Sequence, residues 1–414
     1  MARFRIIDAR ETRAVDRVLT RGRQADVALD RRVRRIVAGV RDGGDRALDR
    51  FARRFDHLTE SIEVSRDEMR DAAARVPPDV RGAIRQAARH IARVAVRQLP
   101  RAVRITVAPG VVVEQRVEPL ARVGCYVPGG RFPLPSSLLM TAIPARVAGV
   151  AEILAVCPRP EPAVMAAALE AGVSRLFRIG GAHAIAALAY GTAAIPRVDK
   201  IVGPGNRYVA AAKALVAADC AIDFYAGPTE IVILAGDGRP RWIAADLVAQ
   251  AEHDPDARAV FLTWKRSLAE RVAAAVGRLA SGRSIVEASL AANGAAIVTR
   301  TIDEAVALAN RIAPEHLVVD REAIARRRLI AGAVFVGPFT AQAAGDYATG
   351  SNHVLPTSGA SRFRGGLSAS DFVRVMAVQR LTRAGLARLA ATIVPLARAE
   401  GLEAHAESIE VRLS

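Results

Sequence analysis

Apolar residues recur every three to four positions through 27–55 and 66–98. That spacing predicts amphipathic helices over a first, polar section running to about residue 105. Pro77-Pro78 marks a helix start inside the second stretch, because proline suits a first helical turn. Near Val107 the pattern changes. Short β-rich runs at 121–126, 152–156, 176–179 and 200–202 each lead through a Gly/Pro loop into an Ala-rich helical pattern. The theme repeats with runs at 231–234, 259–263 and 296–299 and helices at 242–252 and 302–312. Such alternation predicts βαβ units and parallel sheets. From Arg383 onward the pattern is helical again, interrupted at Pro395 and Gly401.

A length of 414 residues suggests two or three domains. With 51% hydrophobic but only 4% aromatic residues, core volume must come from Ala, Val, Leu and Ile. No apolar run approaches the roughly 18 residues of a membrane span, and the first residues carry charge where a signal peptide needs an apolar stretch. A soluble cytoplasmic protein is expected. Cys125, Cys157 and Cys220 are too few and scattered for a disulfide framework, and are expected to be reduced and buried. The formal charge of +17 raises the question of nucleic acid. It is almost all arginine, with lysine only at 200, 213 and 265, and is interleaved with Asp and Glu. Without a basic block interleaved with aromatics, a solvated Arg-rich surface is the better reading.

Three glycine-rich loops follow expected strands: GCYVPGG at 124–130, IGGAH at 179–183 and VGPGNRY at 202–208. Loops at the carboxyl ends of parallel strands bind ligands in such folds, and glycine lets backbone amides approach a phosphate. None matches the full GxGxxG fingerprint, so tight turns alone would also explain them. His57 and His90 are isolated and read as surface or packing residues. Four histidines fall after residue 250 beside other polar groups. Gln250 and His253 are three apart at a helix end, on one face; they read either as a metal pair or as a helix-capping histidine. Glu315 and His316 are adjacent, next to Pro314. Histidine suits proton abstraction from an alcohol, and a carboxylate can activate water. The turn-rich segment 345–359 carries Asp346 and His353, and the tail carries Glu400 and His405.

Together, GCYVPGGRFPLPSS, KIVGPGNRYV, AGPTE, QAEHDPDA, ANRIAPEHL, GDYATGSNHVLPTSG and AEGLEAH resemble the histidinol dehydrogenase family. The resemblance runs over nearly the whole chain. It implies an α/β fold of two incomplete Rossmann-like domains, one inserted in the other, with small helical N- and C-terminal extensions, in an intertwined homodimer. The implied domains are 1–22 as the N-terminal extension, 23–121 plus 225–365 as the larger α/β domain, 122–224 as the inserted NAD-binding domain, and 366–414 as the dimerisation extension. It further implies one Zn2+ per subunit on Gln250, His253, Asp346 and His405, with His405 and Glu400 lent to the partner's site. Glu315 and His316 are the implied acid–base pair. Thr229, Gln250, His253, His316, Asp346, His353, Glu400 and His405 are the implied substrate contacts, Thr229 standing where many members have Ser. Tyr126, His183 and Asn206 are the implied NAD contacts. His183 departs from the glutamine common there; imidazole lacks an amide's paired donor and acceptor, and capping of the following helix is an equal alternative. The implied reaction is the NAD-dependent four-electron oxidation of L-histidinol, through L-histidinal, to L-histidine. The competing readings are oxidation of another small alcohol, such as a sulfonated diol, on the same scaffold, and an Arg-rich nucleic-acid-binding protein.

Overall fold

The computed structural model describes residues 4–19, 26–129, 133–225 and 227–414. Residues 130–132 of the first glycine-rich motif, residue 226 of the AGPTE motif, and 1–3 and 20–22 of the expected N-terminal extension lie outside them. The chain opens with β1 (Arg5–Asp8) and α1 (Thr12–Leu19), then α2 (Val27–Phe51), β2 (Glu63–Val64), α3 (Arg66–Ala74) and α4 (Pro78–Ala95). A hairpin follows, β3 (Val103–Ala108) and β4 (Val111–Pro119). A first α/β run comprises β5 (Arg122–Tyr126), α5 (Pro135–Ala148), β6 (Glu152–Val156), α6 (Pro162–Ala171), β7 (Arg175–Phe177), α7 (Gly181–Tyr190), β8 (Lys200–Val202), α8 (Arg207–Val216) and β9 (Ala221–Ile222). A second comprises β10 (Glu230–Leu234), α9 (Pro240–Ala251), β11 (Arg258–Thr263), α10 (Arg266–Ala280), α11 (Ser284–Asn293), β12 (Gly294–Val298), α12 (Ile302–Ile312), β13 (His316–Val319), α13 (Glu322–Ala325), β14 (Ala333–Val336) and α14 (Gln342–Tyr347). The tail is β15 (Val373–Leu381), α15 (Arg383–Ala399) and α16 (Glu403–Glu410).

The two runs build the same sheet twice. The first sheet has the order β2-β7-β6-β5-β8-β9 and the second β1-β12-β11-β10-β13-β14. Apart from the antiparallel edge strand β2, all neighbours in both are parallel. Each run therefore places its first strand centrally and adds the next two on one side and the last two on the other, the doubly wound order with a switch point beside the first strand. Strands β10 and β11 are buried at every position, as expected of strands covered by helices on both faces.

What covers each sheet differs from the expected domain boundaries. The helices of 27–95, expected with the larger domain, pack on the first sheet: α2 meets α7 and α8, α3 meets α6, and α4 meets α5 and α6. The reason is a shared core. Val33, Ile36 and Leu48 of α2 join Leu154, Phe177 and Ile185 on one face, and Met69, Ile84 and Ile91 join Leu138, Ile143 and Ile153 on the other. Removing one such aromatic, as in Phe177→Ala, would cost about 3–5 kcal/mol. The N-terminal extension, expected to be helical, instead begins with β1, which pairs with β12 in the second sheet. The C-terminal extension, expected to be helical, contains a strand too: β15 pairs antiparallel along the whole of β4, giving a separate sheet β15-β4-β3. This small sheet and the tail are thinly packed. Ile105, Val107, Val375, Leu381, Leu396 and Leu402 are exposed.

No helix among the described residues is long and apolar enough to cross a membrane. The three cysteines are free and buried; burial raises Cys125 and Cys157 to about 12, so both stay protonated thiols.

Candidate active site

The acid–base cluster lies at the amino ends of the two strands flanking the second sheet's switch point, where β10 and β13 start side by side with Ile231 opposite His316. Ligand loops in such sheets sit at carboxyl ends, so this placement was not readable from strand order. A backbone reason is visible. α12 is capped at its carboxyl end by Ala313, whose φ of 49° is left-handed, and Pro314-Glu315 then lead the chain into β13. His316 therefore opens β13, and Glu315 lies in the bend just before it. Their side chains come together there, Glu315 Oε2 lying 3.7 Å from His316 Nδ1.

A chain of hydrogen bonds fixes both groups. The Glu230 backbone N–H donates to Glu315 Oε2 at 2.9 Å, so that oxygen is an acceptor. The Thr229 hydroxyl donates to the same oxygen at 2.5 Å. Thr229 Oγ1 in turn accepts from Gln250 Nε2 at 2.6 Å. These bonds orient the Gln250 amide and leave its Oε1 buried, with no partner among the described residues. A buried amide oxygen without a partner costs free energy unless something electropositive meets it. Burial lifts the Glu315 carboxyl to about 8, and the Thr229 and Glu230 donors only partly oppose this.

His316 is set by two contacts. Its Nδ1 faces the Glu230 carbonyl at 3.3 Å, and its Nε2 faces the Gln342 amide nitrogen at 3.2 Å. A carbonyl only accepts and an amide nitrogen only donates, so the ring carries its proton on Nδ1 and a lone pair on Nε2. Burial lowers the His316 pKa, which keeps the ring neutral. Gln342 Nε2 also donates to Asp346 Oδ2 at 2.8 Å, and Asp346 Oδ1 lies 3.8 Å from His316 Nε2. His353 donates through Nδ1 to the Asp346 carbonyl at 3.0 Å, and its Nε2 has no hydrogen-bond partner among the described residues. His253 lies just past the end of α9, and is exposed and near enough to His353 to disfavour its charging. Thus Thr229, Gln250, His253, Glu315, His316, Asp346 and His353 meet in one place. Glu400 and His405 do not. Both are exposed on the tail, and among the described residues of the single chain no three His, Cys, Asp or Glu side chains form a metal cage.

Sequence reasoning missed Glu230 and Gln342. Glu230 is buried and raised to about 7 by desolvation, with Arg258 the main opposing charge, and its Oε1 accepts from the Ser358 backbone at 3.0 Å. The expected strand began at residue 231, and Gln342 lies just before the segment 345–359 read for its Asp346; neither Glu230 nor Gln342 carries a local signal.

Residues 223–229 carry the chain from the carboxyl end of β9 to the amino end of β10. Tyr126 ends β5; it is buried, and its hydroxyl accepts from the Gly181 N–H at 3.0 Å. Asn206 is exposed and caps α8, accepting from the Tyr208 and Val209 N–H groups. His183 points elsewhere. It is buried, with Nε2 2.7 Å from Asp56 Oδ2, and the Gly180 N–H donates to the same oxygen at 2.9 Å. Its ring also nears Phe51 and Phe55 at the end of α2. The side chain thus ties the α7 loop to the first helical section and does not cap α7.

The 203–206 loop rests on a buried ion pair. Lys213 Nζ pairs with Asp223 and donates to the Gly203 carbonyl, while Asp223 Oδ2 accepts from the Gly203 N–H at 2.8 Å. Gly203 has φ of 116°, and a Cβ there would strike the Tyr126 carbonyl.

A family model described as histidinol dehydrogenase matches residues 19–413. The chain belongs to the histidinol dehydrogenase family. It is 46% identical to the histidinol dehydrogenase of Geobacter sulfurreducens, over 99% of this chain and 100% of that one. It is also 46% identical to that of Thermus thermophilus, over 98% and 100%. A crystal structure of histidinol dehydrogenase from Elizabethkingia anophelis superposes with a TM-score of 0.92 at 33% identity, covering 99% of this chain and 97% of that chain. The chain is accordingly an oxidoreductase. Nothing in these likenesses favours the sulfonated-diol alternative. For a histidinol dehydrogenase, the Lys213–Asp223 pair is a structural dependency under the glycine-rich loop. Lys213→Met leaves a buried carboxylate without its cation and should cost about 3–5 kcal/mol. That loss would show as a lower urea midpoint at unchanged slope; an unchanged midpoint would show that the pair carries no weight.

Proposed function

We propose that this chain oxidises L-histidinol through L-histidinal to L-histidine, taking a water and passing two hydrides to NAD. The observation that carries the reading is the Gln250–Thr229–Glu315 hydrogen-bond chain beside a neutral His316 whose Nε2 lone pair faces the same space.

The donor set fits zinc. The partnerless Gln250 Oε1, the imidazole of His253 and the Asp346 carboxylate are nitrogen and oxygen ligands of the kind zinc takes. His405 of the partner subunit would complete them. Its exposure on the thinly packed tail, together with the exposed apolar residues there, supports an intertwined homodimer. Bound zinc would anchor substrate nitrogens, and bound NAD would accept hydride. Tyr126 and Asn206 would contact the cofactor from the loops after β5 and β8, and His183 would act through the loop it ties to Asp56.

The chain's own residues do the proton work. His316 Nε2 takes the hydroxyl proton as the carbon is oxidised. The aldehyde stays bound. Glu315 in its carboxylate form, held in place by Thr229 and the Glu230 amide, takes a proton from the water that adds to the aldehyde, and the resulting hydrate supplies the second hydride. His353, through Nε2, and Glu400 from the partner would hold the substrate's polar groups. Nε2 of His316 already accepts from Gln342, so a substrate hydroxyl would replace that donor.

The test is an NAD-reduction assay on histidinol against a panel of small alcohols, sulfonated diols included. Two NADH per histidinol with no free aldehyde is expected; one NADH with released aldehyde, or preference for another alcohol, would overturn the reading. Dialysis against a chelator should abolish turnover and zinc should restore it. Full turnover in metal-free protein would remove the anchoring role.

A further inference from the structure

The acid–base cluster uses one end of the second sheet, and the other end carries a cavity of about 670 Å3. It is lined by Ile233, Trp242, Asp246, Val318, Phe339 and the loop 237–239. It opens between the carboxyl ends of β10 and β13, which is the switch-point crevice where doubly wound sheets take ligands. The equivalent crevice of the first sheet, between β5 and β8, holds Tyr126 and the 203–206 loop. β10 is five residues long, so the cavity lies roughly 15 Å from the cluster along the strand.

Its chemistry excludes the usual occupant. Asp320 Oδ2 accepts from the Gly236 and Asp237 N–H groups at 2.9 and 3.1 Å. Arg321 clasps that carboxylate with bonds of 2.8 and 2.7 Å. The position a phosphate would take against the β10–α9 turn is therefore filled by the chain's own anion. What is left open is acidic and aromatic. Asp246 is half-buried and has neither hydrogen bond nor ion pair among the described residues; desolvation alone raises its carboxyl to about 6. Trp242 stands one turn before it on the same face of α9, with the Phe339 ring 5.8 Å away. Phe339 is 88% exposed, so the aromatic wall is open to solvent in the single chain. That wall already takes a planar cation, since the Arg239 guanidinium lies 4.5 Å over Trp242.

We propose that this crevice is a second ligand site, for a small organic cation on a flat ring such as an imidazole or an aromatic amine. The ligand's N–H group bonds Asp246, and its ring lies against Trp242 and Phe339. The assignment does not rest on the reading of the acid–base cluster.

The chain has two tryptophans, and Trp264→Phe leaves Trp242 as the sole reporter. Histamine added to the zinc-loaded full-length W264F protein should give a saturable change in Trp242 emission. Adding Asp246→Asn, which breaks no existing bond, should weaken that response at least tenfold, roughly the effect of removing one buried charge partner. Histamine held in the catalytic cluster would give a response indifferent to D246N. If W264F fails to fold, isothermal titration of wild type and D246N with histamine replaces it, with loss of one binding event expected in D246N. No saturable response up to about 10 mM, an affinity too weak to matter, or equal responses with and without Asp246, would overturn the site.

Discussion

His316→Ala is expected to lower kcat by about 10²- to 10⁴-fold, the range for loss of a positioned general base, while zinc content stays at the wild-type level. The size follows from geometry. Nδ1 is committed to the Glu230 carbonyl, so Nε2 is the one ring atom able to take a proton. Burial keeps it neutral and ready. Among its neighbours, Glu315 is bonded through Oε2 to Thr229 and Glu230 and is assigned to the later water step, so it does not stand in for His316 at the alcohol. Because His316 is outside the proposed metal set, metal analysis separates lost chemistry from a lost site. Near-normal kcat, or zinc lost together with activity, would mean that His316 is not the base.

The second large effect concerns the tail. A chain ending at Ala399, lacking Glu400 and His405, should be inactive. Mixed with the His316→Ala protein under subunit exchange, it should regain activity. In a two-fold dimer each site would combine the cluster of one chain with the tail of the other. Random mixing of equal amounts should restore about a quarter of wild-type turnover, because half the dimers carry one intact site of two. The structure supports this through what α15 and α16 lack: α15 buries only Gly385 and Ala397, and α16 only Ala406. No recovery from folded, exchanging chains would show that sites are not shared.

The legibility of the sequence varied with how local each signal was. Helix α12 runs over Ile302–Ile312 as its spacing indicates, because Thr301 caps it through Glu304 N–H and a single apolar stripe fixes its phase. β6 and β8 matched for a similar reason, being buried runs bounded by turns. Pro77-Pro78 split one expected helical stretch into α3 and α4. The small sheet was not legible. β4 and β15 are mostly exposed or half-buried, and their pairing joins Val111 to Leu381, so no local pattern announces it. Likewise the apolar stripe of α2 shows that it packs but not on which sheet.

In the site, residues from separate motifs do converge: Thr229 bonds Gln250 and Glu315, 21 and 86 positions away, and His316 approaches Asp346. Gln342 and Glu230 escaped notice because an amide at a short helix's first position and a carboxylate at a strand start are common. Only their contacts with His316 mark them. His183 could be flagged by composition as a departure, but its partner Asp56 lies 127 positions away.

The central claim is that one zinc ion gathers Gln250, His253 and Asp346 with His405 from the neighbouring chain. Zinc-edge X-ray absorption on the dialysed full-length protein tests it most directly. The expected result is about one zinc per chain, ligated by oxygen and imidazole only, with an imidazole contribution that falls by half in the chain ending at Ala399. A spectrum unchanged by that truncation, or one containing sulfur ligands, would contradict it.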